Sequence, residues 1–207
     1  MLLRFSTLVL ISSALMTVSC AKEEQEIGTP PVLEVPYDVA QEASIQVDNV
    51  FVATDYSGGG APFGVHVGMH FSPTAAHNAD MPYYAMADGT IAKVESLLSG
   101  GFYNVNVQLE MSGGVIVVYQ FETQSAIPAD ETAQLAKISV SEGQAVSSGD
   151  LIGTLHDAGV PAPIMHIGVI QGPDLICPTH LMSSSAASRT IALIERDNAS
   201  WLPCYEN

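Results

Sequence analysis

Between residues 46 and 176 the chain is a succession of short runs rich in Val, Ile, Tyr and Phe, each soon cut off by Gly, Pro, Asn or Asp. Clear cases are GTIAKVESLL, YNVNVQLEM, GGVIVVYQF, AKISVSE, DLIGTL and IMHIGVI. Apolar and polar residues alternate within them, and a period of two is the signature of a strand with one buried face. Runs of this length, with turn signals at this spacing, predict an all-β domain: an antiparallel β-sandwich or barrel. The chain has 207 residues, enough for one such domain with a proper core. No internal repeat is visible.

Both ends of the chain break this pattern. The last thirty residues contain SSSAASRTIALIERDNAS, with Ser caps followed by Ile191, Leu193 and Ile194. This predicts a single C-terminal helix. At the other end, MLLRFSTLVLISSALMTVSC carries Arg4, an apolar run and small residues before Cys20. That is the form of an export signal, and the run is too short for a membrane span of roughly 20 residues. TVSC resembles a bacterial lipobox, in which Cys20 becomes the lipidated first residue, although Thr17 stands where Leu is more usual. An ordinary secretory signal cleaved nearby is the alternative, and both readings export the protein. By resemblance to lipoprotein sorting signals, Ala21 after the Cys implies the outer membrane, facing the periplasm. The organisation expected is a signal peptide over 1–19, an acidic Pro-containing tether over 20–45, a β domain over 46–176 and a helical extension over 177–207.

Export bears on the cysteines and the charge. Setting Cys20 aside leaves Cys177 and Cys204, which an oxidising compartment is expected to join in a disulfide stapling the C-terminal helix to the sheet. The formal net charge is -16, from 6 Lys and Arg against 22 Asp and Glu. A nucleic-acid partner is excluded, because phosphate binding needs a basic patch. Contact with the membrane is expected through the lipid anchor only.

The stretch with most chemical content is FGVHVGMHFSP, residues 63–73. His66 and His70 share one face of an extended segment, opposite Val65, Val67, Met69 and Phe71. Four residues of straight strand separate two positions by roughly 13 Å, so the segment must bend if both imidazoles are to reach one ion. In PAPIMHIGVI, His166 is followed by Gly168 on its own face, which leaves room beside the ring. Three histidines form a candidate ligand set for zinc with a fourth position open to water.

At these residues the chain resembles the lysostaphin-type (LytM-type) zinc endopeptidases, which cut peptide cross-links in bacterial cell walls. HVGMH is similar to the family's H-x-G-x-D motif, with His70 at the Asp position. VIVVYQFET stands where the family has a YAHL-like segment, VSEGQAVSSGDLIGTL matches its V-x-x-G-Q-x-V-x-x-G-D-x-I-G run, and IMHIGV matches H-x-H and the strand after it. AMADGTIAKVE resembles an earlier strand pair. The resemblance covers about 66–170 in the family's order. It implies an antiparallel β-sandwich of the duplicated hybrid motif type, a zinc cofactor and a peptidoglycan peptide or an envelope protein as partner. Biotinyl and lipoyl carrier domains share the GQAVSSGDLIG hairpin, but they need a Lys at a tight turn, and Lys22, Lys93 and Lys137 offer none.

Carried over residue by residue, the resemblance makes His66, His70 and His166 the metal ligands. An imidazole in place of the carboxylate at position 70 leaves more positive charge on the ion and should acidify its water further. The family's two other histidines map to Phe121 and Ile164. Losing two such groups would cost roughly 10⁴ or more in rate if their effects were independent, so the resemblance implies weak or absent catalysis. Glu122 is the candidate for a replacement general base, and in a regular strand it is expected to face away from the site unless a bulge redirects it. His77, Asp80 and His156 are further candidates from loops, and Tyr83, Tyr84 and Tyr103 for lining a groove. Three functions stay open: a divergent cell-wall metallopeptidase, a catalytically inactive relative that binds envelope peptide or regulates a hydrolase, and a purely structural lipoprotein.

Overall fold

The structure, a computed structural model, describes residues 31–74, 80–159 and 163–207. Its centre is an antiparallel ladder made by the most strongly alternating runs of the sequence. β5 (Gly89–Ser99), β6 (Phe102–Glu110), β7 (Val115–Glu122) and β10 (Ile164–Gln171) lie side by side in that order. β8 (Ala145–Val146) pairs with β5 at one end, while β3 (Met69–Pro73) and then β1 (Ile45–Asn49) continue past β10 at the other. β11 (Asp174–Leu175) folds back on β10 as the eighth strand.

The alternation becomes a two-faced sheet. In β7, Val115, Val117, Tyr119 and Phe121 are buried, and Ile116, Val118, Gln120 and Glu122 are only partly covered. Met165, Ile167 and Val169 extend the buried face into β10, and Val105, Val107 and Leu109 into β6. The β5–β6 hairpin closes with Ser99 opposite Phe102, so Gly100 and Gly101 alone make the turn. Both have positive φ, 61° and 89°, as a tight two-residue hairpin requires.

A smaller antiparallel pair, β4 (Met81–Tyr84) with β9 (Leu151–Leu155), is tied to the buried face of the ladder. The Tyr83 hydroxyl donates to the Phe71 carbonyl at 2.5 Å, and its ring meets Phe121 edge-on with centroids 6.2 Å apart. The amide of Met86 donates to the Tyr119 hydroxyl at 2.7 Å. Each buried phenol therefore has a partner, as burial of a polar group demands. Tyr83 belongs to this core and not to a groove.

Three regions depart from the sequence reading. Leu33, Val35 and Tyr37, assigned by composition to the tether, are buried. They alternate, and Leu33 is hydrogen-bonded on both sides, its amide to the Leu181 carbonyl and its carbonyl from the Ser183 amide, each at 2.8 Å. A 3₁₀ turn, Val39–Ser44, capped by the Asp38 carboxylate, follows before β1. AKISVSE is not a strand; only Ile138 bridges to Gly153. Its start is the exit from an unforeseen helix, α1 (Pro128–Leu135), whose first turn carries Pro128, Asp130 and Glu131. Proline at N1 and acids in the first turn both favour a helix start.

The C-terminal helix forms as expected. α2 (Ser184–Asn198) begins with the Ser183 hydroxyl accepting from the Ala186 amide at 3.1 Å and buries Ala186, Leu193 and Ile194. It lies against β1, the outermost strand at that end of the sheet. The Asp197 carboxylate accepts from the Val47 amide at 3.2 Å, and the Arg196 guanidinium donates to the Ile45 carbonyl at 2.5 Å. These bonds occupy groups that an open edge would leave exposed. The Cys177–Cys204 disulfide holds the exit from the helix, where β12 (Cys204–Tyr205) runs parallel to β2 (Phe51–Val52). The fold is mainly β, with an antiparallel curled sheet, a C-terminal helix and its disulfide.

Candidate metal centre

His66 and His70 do not lie on one straight strand. β3 starts only at Met69, and His66 makes an isolated bridge to Val52, with a bend at Gly68 between them. The bend turns the two rings toward each other, centroids 4.7 Å apart and nearly perpendicular at 82°. His166 enters from β10, directly opposite His70 in the pairing of the two strands. Its ring centroid is 4.9 Å from that of His66 and 5.4 Å from that of His70. One nitrogen from each of the three rings lies within 4.8 Å of the others.

Gly68 makes this convergence possible. A Cβ there would meet His166 Nε2 at 2.2 Å and the Ile167 carbonyl oxygen at 2.6 Å, closer than packed atoms allow. The sequence points to Gly168 as the residue that leaves room for His166. At that position a Cβ would reach nothing nearer than 3.5 Å, so the decisive glycine is the one between the other two ligands.

The hydrogen bonds around His66 and His70 fix which of their nitrogens face inward. His66 Nδ1 lies 3.1 Å from the Val50 carbonyl and 2.9 Å from that of Gly68. Both are acceptors only, so Nδ1 carries the proton and Nε2 the lone pair. His70 Nδ1 lies 3.1 Å from the Asp48 carboxylate, which sets the same tautomer. The two Nε2 atoms then stand 3.1 Å apart with lone pairs turned toward each other. Two neutral acceptors at that distance repel unless a proton or a metal ion lies between them. Tetrahedral zinc with bonds of about 2.0–2.1 Å sets ligand nitrogens about 3.3–3.4 Å apart. The donor set fits a borderline-soft divalent metal, with partners outside the ligands already orienting them.

Proton affinity points the same way. Burial, reinforced by the imidazoles of His70 and His66, pulls His166 down to about 3. Burial and then His70 lower His66 as well. These rings are neutral at ordinary pH, the form that binds metal.

Glu122 is where the structure corrects the sequence most directly. It was expected to face away from the site in a regular strand. β7 is regular to its end and pairs Glu122 with Ile164 and Gln120 with His166. The even-numbered residues of β7 therefore share the face of His166, and it is Phe121 that turns into the core. Glu122 Oε1 stands 3.9 Å from His166 Nδ1, and Oε2 accepts from the Gln124 side-chain amide at 2.8 Å. Burial raises the Glu122 carboxyl, against the opposing pull of His70 and the Gln124 bond. Gln124 itself has φ of 55°, the single non-glycine residue with positive φ among those described. The bend that brings its amide back to Glu122 is a strained one.

The remaining candidates fall elsewhere. Cys20 and His77 lie outside the described residues. Asp80 is paired with Lys137, and His156 lies 3.4 Å from Asp130. Asp48, absent from the sequence reading, is the partner of His70 from another strand, and no spacing rule links residues 48 and 70. His180 was also passed over: it stands beside Cys177 and Cys204 as a second potential ligand group, but with the sulfurs joined to each other no thiolate is offered.

No protein-family model matches the chain, and no curated protein does. Among solved structures, the chain is similar to the NMR solution structure of lysostaphin, at 18% identity and a TM-score of 0.47. The match covers 84% of this chain and 59% of that one, so the chain spans about three-fifths of the length of its structural neighbour. The likeness is loose, and the chemistry of the site rests on its own geometry.

Proposed function

We propose that the protein is a divergent zinc metallopeptidase-like hydrolase of the cell envelope, exported, lipid-anchored through Cys20, and directed at peptidoglycan peptides. The observation that carries this reading is the 3.1 Å approach of His66 Nε2 to His70 Nε2, joined by the imidazole of His166 in a cluster that a side chain at position 68 would obstruct. His66, His70 and His166 would hold the metal. Zinc bound there supplies Lewis acidity toward a carbonyl and lowers the pKa of water.

Glu122 acts as the general base. Its carboxylate shares the ligand face, its Oε2 is held by Gln124, and Oε1 is left to accept a proton from the attacking water and return it to the leaving amine. Its raised pKa brings it nearer the range where a carboxylate exchanges protons efficiently. Ile164, opposite Glu122, occupies the position where the resembled family has an imidazole, so one carboxylate does the proton work there alone.

A second reading, an inactive relative that binds envelope peptide or regulates a hydrolase, is favoured by Ile164, which stands on the ligand face where the resembled family has a non-ligand histidine. Protein purified without a His tag separates the two. One zinc per chain, lost in His66→Ala and His166→Ala, with digestion of purified peptidoglycan sacculi, is the expected result. Glu122→Gln should keep the zinc and slow digestion by roughly 10²–10⁴-fold. Zinc and sacculus binding without digestion would select the second reading. Absence of metal in wild-type protein offered zinc would overturn the first.

A further inference from the structure

Asp48 belongs to neither ligand nor base, yet it is built into the site from a different strand. Its Oδ1 accepts from His70 Nδ1 at 3.1 Å and from the Ser72 hydroxyl at 3.3 Å, and its Oδ2 accepts from the Gln46 side-chain amide at 3.3 Å. The β1–β3 pairing slips here: Gln46 stands opposite Ser72, but Asn49 stands opposite His70. Three steps along β1 thus match two along β3. This extra residue is a bulge, a device that re-aims side chains at sheet edges and sites.

The charge around Asp48 is also distinctive. The four described Lys and Arg side chains are engaged elsewhere: Lys93 with Glu95, Lys137 with Asp80, Arg189 with Glu42 and Arg196 with Asp197. No basic side chain among the described residues offsets the Asp48 carboxylate, which lies half-buried against His70. A carboxylate in that position is stabilised by positive charge on the far side of the imidazole, where the three histidines converge.

Building on the metal-centre reading above, we propose that Asp48 is the positioning residue of that centre. It holds His70 in the tautomer with Nε2 toward the ion, and it supplies from behind the ring the negative charge that histidine at position 70 removes from direct coordination. The ion then experiences a ligand set closer to two imidazoles and a carboxylate than to three neutral imidazoles. The extra acidity expected of its water from the substitution at position 70 is correspondingly reduced. Partners of this kind behind a ligating histidine typically change metal affinity by 10–100-fold.

The test is metal affinity of the metal-free full chain, with Co(II) followed by its visible absorption and zinc by competition with a chelator. Asp48→Ala should weaken both metals by 10–100-fold and alter the Co(II) spectrum. Asp48→Asn should fall between, because its amide oxygen still accepts from Nδ1 but carries no charge. Thermal unfolding of the metal-free variants reports any purely structural effect. Should Asp48→Ala not fold, Asp48→Asn carries the comparison, with an affinity loss expected. Wild-type affinity and spectrum in a folded Asp48 variant would overturn the inference while leaving the metal centre standing. Failure of the wild-type protein to bind either metal would overturn both.

Discussion

A single missing methyl group decides whether the three histidines can meet. Gly68→Ala should place Cβ against His166 Nε2 and the Ile167 carbonyl; the carbonyl is fixed by the β3–β10 pairing, and the ring can yield only by swinging away from the other two histidines. Zinc content of this variant should fall close to zero by elemental analysis. Gly64→Ala, where a Cβ meets nothing within 4 Å, should retain it. Equal zinc in both would refute the cradle.

The histidines also leave a signature in stability. In metal-free protein His166 is held near 3 and His66 is lowered, both chiefly by burial, against an ordinary value of 6.5. Below 6.5 the unfolded chain takes up protons that the folded chain refuses, so stability is full above that pH and declines as pH falls from 6.5 toward 3. The urea midpoint of metal-free wild type should drop between pH 7 and 4.5 more steeply than that of His166→Gln. Parallel profiles would show that burial of this ring does not set its proton affinity.

At the level of elements, the C-terminal segment works as an edge cover. α2 buries Leu193 and Ile194, bonds the backbone of β1 through Arg196 and Asp197, and is followed by a cystine whose partners are 27 residues apart. β1 in turn carries Asp48, so the helix supports the strand that supports the site. Removing the disulfide in a Cys177→Ser, Cys204→Ser double variant should lower stability by about 3–4 kcal/mol through restored chain entropy. Denaturant unfolding measures this, and an unchanged free energy would mean that packing alone holds the segment. Sequence reasoning saw this helix because its Ser cap and apolar residues are local signals. It passed over α1, although Pro128 and the acids after it were equally local, because the apolar content of that helix is low.

At the level of the whole molecule, the proposed lipid anchor would hold an acidic domain at the membrane. With -16 formal charges, the chain is repelled by acidic surfaces unless something holds it there. Lipidation at Cys20 predicts that Cys20→Ser moves the protein from the membrane fraction to the soluble exported fraction, read by fractionation and immunoblot. Retention of the variant with membranes would remove the anchor from the proposal.

The sequence by itself determined five of the strands, because alternation is written in neighbours: β5, β6, β7, β9 and β10 coincide with runs visible by eye. It also determined the C-terminal helix and singled out His66, His70 and His166. It could not tell which way Glu122 faces, because that depends on registering β7 against β10, and a shift of one residue exchanges the faces. Nor could it find Asp48, which reaches His70 through a bulge between strands that no local pattern encodes, or the role of Gly68, whose missing Cβ matters only because a third ring arrives from β10. Only the tertiary structure decided these, because each depends on a distance between segments far apart in the chain, and those distances exist only once the sheet has closed.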